Sequence, residues 1–464
     1  MDQVGSPVLE QIRGRTSVAI SLKYHHSSRD SPPTTSMQKS PLIILLSLCL
    51  SLVGVAQFYN DYELEPHGYF SKEAKDPTTL LMKRVQRGEV LIKEENGKQL
   101  VERLLTELNM DKDTQVLVFS KTSLQRREVS YSNPRALYFN ESVYLGWMPT
   151  GRIEIASFDP ELGPIFYFQR KLEDTTSPLL MRTRSCLGCH AGDATNFLPG
   201  SLGRSVYPDR SGRSLRSIDD YRRSGHHIPL HDRYGGWFVS GHHGTMRHMG
   251  NAIATRENGK ITIDREQFAN LEKLDRFFAT ESYPAPGSDI AALLVFDHQV
   301  TMHHRLVEAA YRARQSIFDS KLDPKESDVS KLAEGRSTEE FMEGRDKVID
   351  YLLFREETAI PKVSCDPGFR RAFTANRMTD RRKRSLKDLR LDGRIFENRC
   401  SYMIYSPTFE HLPPMLKGAI YRRIHEILTV KKPVEGFEHL EKDEKRRILE
   451  ILHETKTDLP AGWL

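Results

Sequence analysis

The five residues Cys186-Leu187-Gly188-Cys189-His190 constrain this chain more than any other stretch of its sequence. They follow the pattern C-x-x-C-H, in which two thiols are separated by three positions and an imidazole follows directly. On one helical turn, side chains at this spacing lie close together. The motif therefore predicts a short helical turn on which two thiols and one imidazole can react with, or bind to, the same ligand.

The same spacing matches the covalent attachment of haem c. Two thiols on one turn can form thioethers with both vinyl groups of one porphyrin, and the next residue directs its imidazole at the iron. We therefore predict one covalent haem c, held by Cys186 and Cys189, with His190 as the proximal iron ligand.

Two other interpretations of the motif stay open. A thioredoxin-like redox pair needs a βαβ pattern, whereas the flanks of this motif are loop-like. Half of a zinc site needs a second pair of cysteine or histidine ligands elsewhere in the chain.

Residues 41–56, with the sequence PLIILLSLCLSLVGVA, form the only long apolar run, and no charge interrupts it. Lys39 precedes it, and Gly54 and Ala56 provide the small residues of a cleavage site before Gln57. This pattern predicts a signal peptide over residues 37–56. The run is shorter than the about 20 residues of a spanning helix, so the protein would be attached to a membrane only if the leader stayed uncleaved.

The leader has two consequences. Residues 1–36 are polar, so we expect Met37 to be the initiator and residues 1–36 to be a non-native extension. An exported chain reaches an oxidising compartment, here a bacterial periplasm, where free thiols are unusual. Since Cys49 leaves with the leader, Cys365 and Cys400 are predicted to form a disulfide.

The charge of the chain gives little reason to expect a nucleic-acid partner. Its 68 basic and 63 acidic residues leave a net charge of +5, spread over 464 residues. The densest basic run, residues 377–390, is either a docking face for an acidic redox partner or a solvated helix face.

The hydrophobic patterns predict an α+β fold in three parts. Residues 57–177 should form an α/β domain, in which helices precede an antiparallel meander of strands. Residues 178–319 form the haem c-binding region, which is loop-rich and ends in a long amphipathic helix capped by Ser288-Asp289. Residues 320–464 are charged and mostly helical. The predicted strands are 115–120, 142–147, 152–157 and 164–169, and the predicted helices are 75–110 (broken at Asn96-Gly97), 290–319, 339–354, 416–428 and 440–452.

With its single C-x-x-C-H motif and Pro199-Gly200 soon after the histidine, the chain resembles the c-type cytochromes, as a large mono-haem protein. The resemblance covers roughly residues 178–250. It implies that a proline carbonyl, here that of Pro199, accepts a hydrogen bond from the proximal imidazole. Small cytochromes c are compact and largely helical, whereas long regions flank the motif here.

The sixth iron ligand is sought in the glycine-rich segment 234–251. We favour His248, because His-x-Gly-Asn places a ligand beside a turn that can orient it. A rival, His303, falls on the apolar stripe of the long helix, where a hydrogen-bonded core histidine is the alternative. The other candidates in the segment are His243, Met246 and Met249.

Other residues of this region have weaker assignments. Trp237 and Phe238 offer area to cover a porphyrin, and Arg247 can pair with a propionate. The histidines at 226, 227 and 231 fit a polar loop better than an adventitious metal site.

Together these features predict periplasmic electron transfer through one haem c, with redox proteins as partners and no nucleic acid. In that case the protein is an electron carrier without catalytic residues. Two alternatives remain. One is a peroxidase-like haem oxidoreductase that takes an acid or base from segment 242–248, and the other is a haem-based sensor that uses the N-terminal domain.

Overall fold

A computed structural model describes residues 61–92, 97–170, 178–216 and 222–463 of the chain. The predicted leader and the extension before it lie outside these ranges. The described residues belong to one compact unit, to which all three predicted parts of the chain contribute. Among the described helices, none combines the length and the apolar character needed to cross a bilayer.

The first half of the unit is built on antiparallel strands. In chain order they are β1 (Val116–Val118), β2 (Arg135–Phe139), β3 (Val143–Trp147), β4 (Glu154–Asp159), β5 (Gly163–Gln169), β6 (Leu180–Arg182), β7 (Arg204–Ser205), β8 (Arg222–Arg223), β9 (Trp237–Phe238), β10 (Ala254–Glu257) and β11 (Lys260–Ile263). Seven of them form one sheet in the order β6-β5-β4-β3-β2-β1-β9. The pairs β7-β8 and β10-β11 form separate ribbons.

The predicted meander is confirmed in β1, β3, β4 and β5, each of which overlaps a predicted strand. The sequence did not predict β2, β6 or β9. The last of these is only two residues long and comes from the loop-rich region, but it pairs with β1 at the edge of the sheet. Backbone hydrogen bonds therefore join the loop-rich region, residues 178–319, to the N-terminal sheet.

Nine α-helices surround the sheet in the described part of the chain. They are α1 (Pro77–Gln86), α2 (Lys98–Glu107), α3 (Leu187–His190), α4 (Ile290–Asp319), α5 (Arg336–Leu352), α6 (Pro367–Thr374), α7 (Pro407–Glu410), α8 (Pro414–Thr429) and α9 (Lys442–Thr455). The predicted helices are confirmed, and the structure adds α3, α6 and α7. With the antiparallel sheet, they make the mixed α+β fold that the sequence predicted.

The long helix α4 begins where the sequence placed its start. The Asp289 side chain accepts hydrogen bonds from the backbone N–H groups of Ala291 and Ala292, at 3.0 and 3.2 Å. Such an N-cap satisfies donors that the first helical turn leaves without partners. The sequence predicted a helix with one buried face, but 22 of its 30 residues are buried, so more than one face packs against the protein.

A directed chain of hydrogen bonds connects α4 to both halves of the fold. The Tyr402 hydroxyl donates to Gln299 at 2.8 Å, and the Gln299 amide donates to the Tyr144 hydroxyl at 3.0 Å. His303 Nε2 donates to the Glu141 carbonyl at 3.1 Å, so its Nδ1 accepts from the Tyr144 hydroxyl at 2.8 Å. Both ring nitrogens of His303 are therefore engaged, as expected of a core histidine.

A second histidine of α4 pairs with the loop that follows β8. The Nδ1 atoms of His298 and His226 are 2.9 Å apart, and each ring stacks against Tyr351 and Phe354. Burial lowers the pKa of both histidines, so both are neutral at pH 7. The prediction of a polar loop is wrong for His226, which lies in the core.

Asp297 is a buried carboxylate in the middle of α4. It lies beside two further buried side chains, Arg233 and Tyr234. Burial raises its pKa from 3.8 to about 6, although the neighbouring Arg233, Ser224 and Tyr234 oppose the shift. Asp297 therefore changes charge inside the core near pH 6.

This pKa shift predicts how stability changes with pH. Between pH 3.8 and 6 the unfolded chain loses the Asp297 proton while the folded chain keeps it, so the stabilising contribution present below pH 3.8 is lost by pH 6. Relative to the wild type, Asp297→Asn should gain up to about 3 kcal/mol across this window and nothing more above it. Urea unfolding at pH 4, 5, 6 and 7 measures the difference, and the exposed variant Asp346→Asn is the control. A difference that does not change with pH would contradict the prediction.

Candidate functional site

The C-x-x-C-H motif follows the edge strand of the sheet. β6 pairs with β5, and the Thr183 N–H then donates to the Phe166 carbonyl at 2.9 Å. The chain turns into α3, whose Leu187 side chain is buried in the core. The His190 N–H donates to the Cys186 carbonyl at 2.9 Å, which closes the single helical turn that the sequence predicted.

The two thiols of the turn differ in their surroundings. Cys186 is half-buried and Cys189 is exposed, and both are free thiols. Burial, with Glu154 nearby, raises the pKa of the Cys186 thiol to about 12. A thioredoxin-like nucleophile needs a lowered thiol pKa, so this environment does not favour a redox dithiol.

The zinc interpretation of the motif gains no support from the surroundings. Within the described ranges, no cluster of three or more His, Cys, Asp and Glu side chains is arranged to hold a metal ion.

His190 is fixed by a pair of hydrogen bonds to one glycine. Its Nδ1 donates to the Gly200 carbonyl at 2.9 Å, and the Gly200 N–H donates to the His190 carbonyl at 2.8 Å. The predicted acceptor, the carbonyl of Pro199, is wrong by one residue. A proton held on Nδ1 leaves the Nε2 lone pair for a metal, and Nε2 has no hydrogen-bond partner among the described residues.

The surroundings of His190 keep its ring neutral. Burial lowers its pKa, and the guanidinium groups of Arg135 and Arg204 act in the same direction against the bond to Gly200. Its ring lies 4.8 Å from that of Phe166, between ring centroids. A neutral imidazole is the form that binds iron, so these residues fit the proximal role.

The loop after the motif lies along α4 and is held there at two points. The Asn196 amide donates to the Glu308 carboxylate at 2.9 Å, and the Ser201 hydroxyl donates to the Val300 carbonyl at 2.6 Å. Between them, Gly200 approaches His304 so closely that a Cβ atom on Gly200 would lie 2.7 Å from His304 Nδ1. Only glycine fits at this position without a shift of its neighbours.

The candidates for the sixth ligand differ in the state of their ring nitrogens. In His243, Nδ1 donates to the Met246 carbonyl at 2.6 Å and Nε2 accepts from the Asn270 N–H at 3.0 Å. Both nitrogens of His303 are also engaged, as described above. In His248, Nδ1 accepts from the Gly250 N–H at 3.0 Å, while Nε2 is buried without a partner in the described part of the chain.

His248 packs against its neighbours within the glycine-rich segment. It makes ring contacts with His243 and Tyr234, and neither a ring contact nor a hydrogen bond to α3 is found among the described residues. Of the methionine candidates, Met249 is fully buried and Met246 is partly buried against the core.

Three weaker assignments in this segment are corrected by the structure. Trp237 and Phe238 form β9 and are buried in the protein core, where Phe238 packs against Phe119, so they are not arranged to cover a porphyrin. Arg247 forms an ion pair with Glu266 at 2.6 Å instead of facing a free site.

The predicted disulfide between Cys365 and Cys400 is not formed, since both are free thiols. The residue after Cys365 contacts Asp289, and the residue after Cys400 contacts His298. These two contacts are nine positions apart along α4, or about 13 Å. A disulfide requires Cα atoms within about 7 Å.

The basic run 377–390 does not form a helix face. It is irregular and lies against α9. Arg382 and Arg384 both pair with Glu450, at 3.3 and 2.7 Å, and Arg384 also pairs with Asp380. Much of its charge is therefore neutralised within the chain.

Sequence reasoning missed the contact of Gly200 with His190 and the contact of Asn196 with Glu308 on α4. A signal for one of them was present in α4, because positions 297, 301, 304 and 308 fall on one face at 100° per residue. Each of these positions is polar, and successive ones are three or four residues apart along the helix. Such a stripe indicates a face that meets polar loops instead of the sheet.

Comparison with known proteins gives no further identification. No family model matches the chain, and no curated protein or solved structure matches it.

Proposed function

We propose that the protein carries electrons through one haem c, attached at Cys186 and Cys189 and bound through His190. The observation that supports this most is the hydrogen bond from His190 Nδ1 to the Gly200 carbonyl. It fixes the tautomer and the ring orientation that a proximal ligand needs, and it leaves Nε2 for the iron.

Each residue of the site has a separate task in this proposal. Cys186 and Cys189 hold the porphyrin covalently, so that the cofactor is not lost outside the cell. His190 binds iron in its neutral form, and Gly200 orients its ring. Bound haem c supplies one-electron chemistry between Fe(II) and Fe(III), and the protein exchanges electrons with periplasmic redox proteins without a catalytic residue of its own.

We also propose His248 as the sixth ligand. Of the three candidate histidines, it alone keeps a ring nitrogen without a partner among the described residues. Ligation through Nε2 would place the proton on Nδ1, so the hydrogen bond from the Gly250 N–H would be given up.

Electron transfer has more support than a peroxidase-like activity. An acid or base from segment 242–248 would have to be available beside an open iron position. His242 pairs with Glu272 at 3.0 Å, His243 has both nitrogens engaged, and Arg247 pairs with Glu266. These groups are therefore committed to contacts within the fold.

The haem proposal is tested by export in a bacterium that attaches haem c. The wild type should give a haem-staining band at the mass of a chain that starts at Gln57, with one haem per chain. Cys186→Ala/Cys189→Ala should abolish the stain, because both thioethers are lost. Cys365→Ser is the matched control and should stain as the wild type does. An unstained wild type that is exported and folded would reject the proposal.

The fit of Gly200 against His304 gives a second prediction. Gly200→Ala should lower the free energy of unfolding by about 1–3 kcal/mol, because the added Cβ forces the loop to shift. It should also raise the reduction potential, since His190 would lose part of its bond to the carbonyl. Urea unfolding and redox titration measure the two effects.

The matched control for Gly200→Ala is Gly188→Ala, which lies inside the motif and preserves C-x-x-C-H. A Cβ at Gly188 would meet no atom within 4 Å. Its unfolding free energy should stay within about 0.5 kcal/mol of the wild type. Equal behaviour of the two variants would show that the Gly200 contact does not matter.

The sixth-ligand proposal is tested by the optical spectrum. Wild-type ferric protein should be six-coordinate and low-spin, and His248→Ala should turn it high-spin and quick to bind cyanide. The exposed neighbour His242→Ala should leave the spectrum unchanged. A His248→Ala spectrum identical to that of the wild type would exclude His248, and a methionine-iron charge-transfer band would assign the ligand to a methionine.

A further inference from the structure

Glu308 is a buried carboxylate on α4 that meets the loop after the motif. Glu308 is only 3% exposed to solvent. It accepts a hydrogen bond from the Asn196 amide at 2.9 Å and pairs with Arg312 at 2.8 Å. Its second oxygen lies 3.7 Å from His304 Nε2. A charge this deeply buried is retained only when it is paired, and each contact then resists displacement.

The loop that Glu308 holds has an unusual backbone. Asn196 and Phe197 are consecutive residues with φ angles of +51° and +58°. Asparagine tolerates this left-handed region, whereas a bulky residue such as Phe197 adopts it at a cost. Such a conformation persists only where the surroundings hold it. The hydrogen bond from Asn196 to Glu308 is a side-chain contact that can do so.

This turn returns the chain to the proximal histidine. Four residues after Asn196, Gly200 exchanges two hydrogen bonds with His190. The next residue, Ser201, is bound to the carbonyl of Val300 on the same helix. Val300 and Glu308 are eight positions apart on α4, so a rigid helix holds the loop at two points about 12 Å apart.

We propose that Glu308 is a positioning residue for the proximal histidine, acting through Asn196 and the Gly200 carbonyl. The carbonyl accepts the Nδ1 proton of His190, and the strength of that bond sets how strongly the imidazole donates to a metal. The redox part of the inference rests on the proposed haem c function. The structural part, that Glu308 holds Gly200 against His190, does not.

The structural part is tested without haem. In the Cys186→Ala/Cys189→Ala background, Glu308→Ala and Asn196→Ala should each speed hydrogen exchange of the Gly200 amide by about tenfold or more, the effect of losing a hydrogen bond to a charged group. The double variant should be no faster than either single variant, because both remove the same contact. Since Asn196 is exposed, its variant keeps the test valid even if Glu308→Ala fails to fold.

The matched control is Glu340→Ala. Glu340 also pairs with Arg312, at 3.4 Å, but it does not touch Asn196. In Glu340→Ala, the Gly200 amide should exchange at the same rate as in the Cys186→Ala/Cys189→Ala chain. If Glu308→Ala and Asn196→Ala exchange no faster than Glu340→Ala, the inference is wrong.

The redox part is tested on the haem-loaded chain. Glu308→Ala and Asn196→Ala should raise the reduction potential, whereas Glu340→Ala should leave it unchanged. If the reduction potentials stay unchanged while the Gly200 amide still exchanges faster, only the redox part of the inference is wrong. Faster amide exchange in a chain that never binds haem would instead reject the proposed function and keep the positioning role.

Discussion

The rest of this structure depends on the burial of one long helix, α4. Only a small part of its surface is exposed to solvent. Of its 30 residues, 22 are buried, and five of these carry charged, imidazole or amide side chains. A buried polar group without a partner costs about 1–3 kcal/mol. Each of these side chains must therefore find its partner in a neighbouring element, and the neighbours are arranged accordingly.

The partners come from every part of the chain. Gln299 and His303 bind the β2-β3 turn and Tyr402, His298 pairs with His226, and Glu308 takes the loop after the motif. The helix thereby connects the sheet, the C-terminal helices and the candidate site through one rigid element. In the described part of the chain, no residue of α4 forms a hydrogen bond or a ring contact with His190 itself, so the helix meets His190 only through the loop that Glu308 and Val300 hold.

Much of the fold follows from local sequence patterns. The start of α4 was predicted because Asp289 is a good N-cap before an apolar run, and four strands were predicted from runs bounded by Pro and Gly turns. The strand β9 could not be predicted, since two residues carry no periodicity and its partner, β1, lies more than a hundred positions earlier. For the same reason the core positions of Trp237 and His226 were mistaken for site or loop positions.

The candidate site divides in a similar way. Cys186, Cys189 and His190 are local to one turn, so their spacing alone was informative. The acceptor of the His190 proton depends on how ten residues of loop close, and the pattern shared with small cytochromes pointed to Pro199 instead of Gly200. The prediction of a disulfide was wrong because it came from the expected oxidising compartment, which gives no information on the distance between the two cysteines. The two thiols lie beside different turns of α4.

The enclosure of α4 also determines how this chain can be divided. A Cβ on Gly344 of α5 would lie 3.2 Å from the backbone of Ala309, so the C-terminal half of α4 is in direct backbone contact with the region that follows it. A fragment that kept the C-x-x-C-H motif and ended with α4 would expose that apolar surface to water. The C-x-x-C-H turn is therefore not a module that folds apart from the rest of the chain. Here it can be inherited, shuffled or engineered only together with the helices that cover α4.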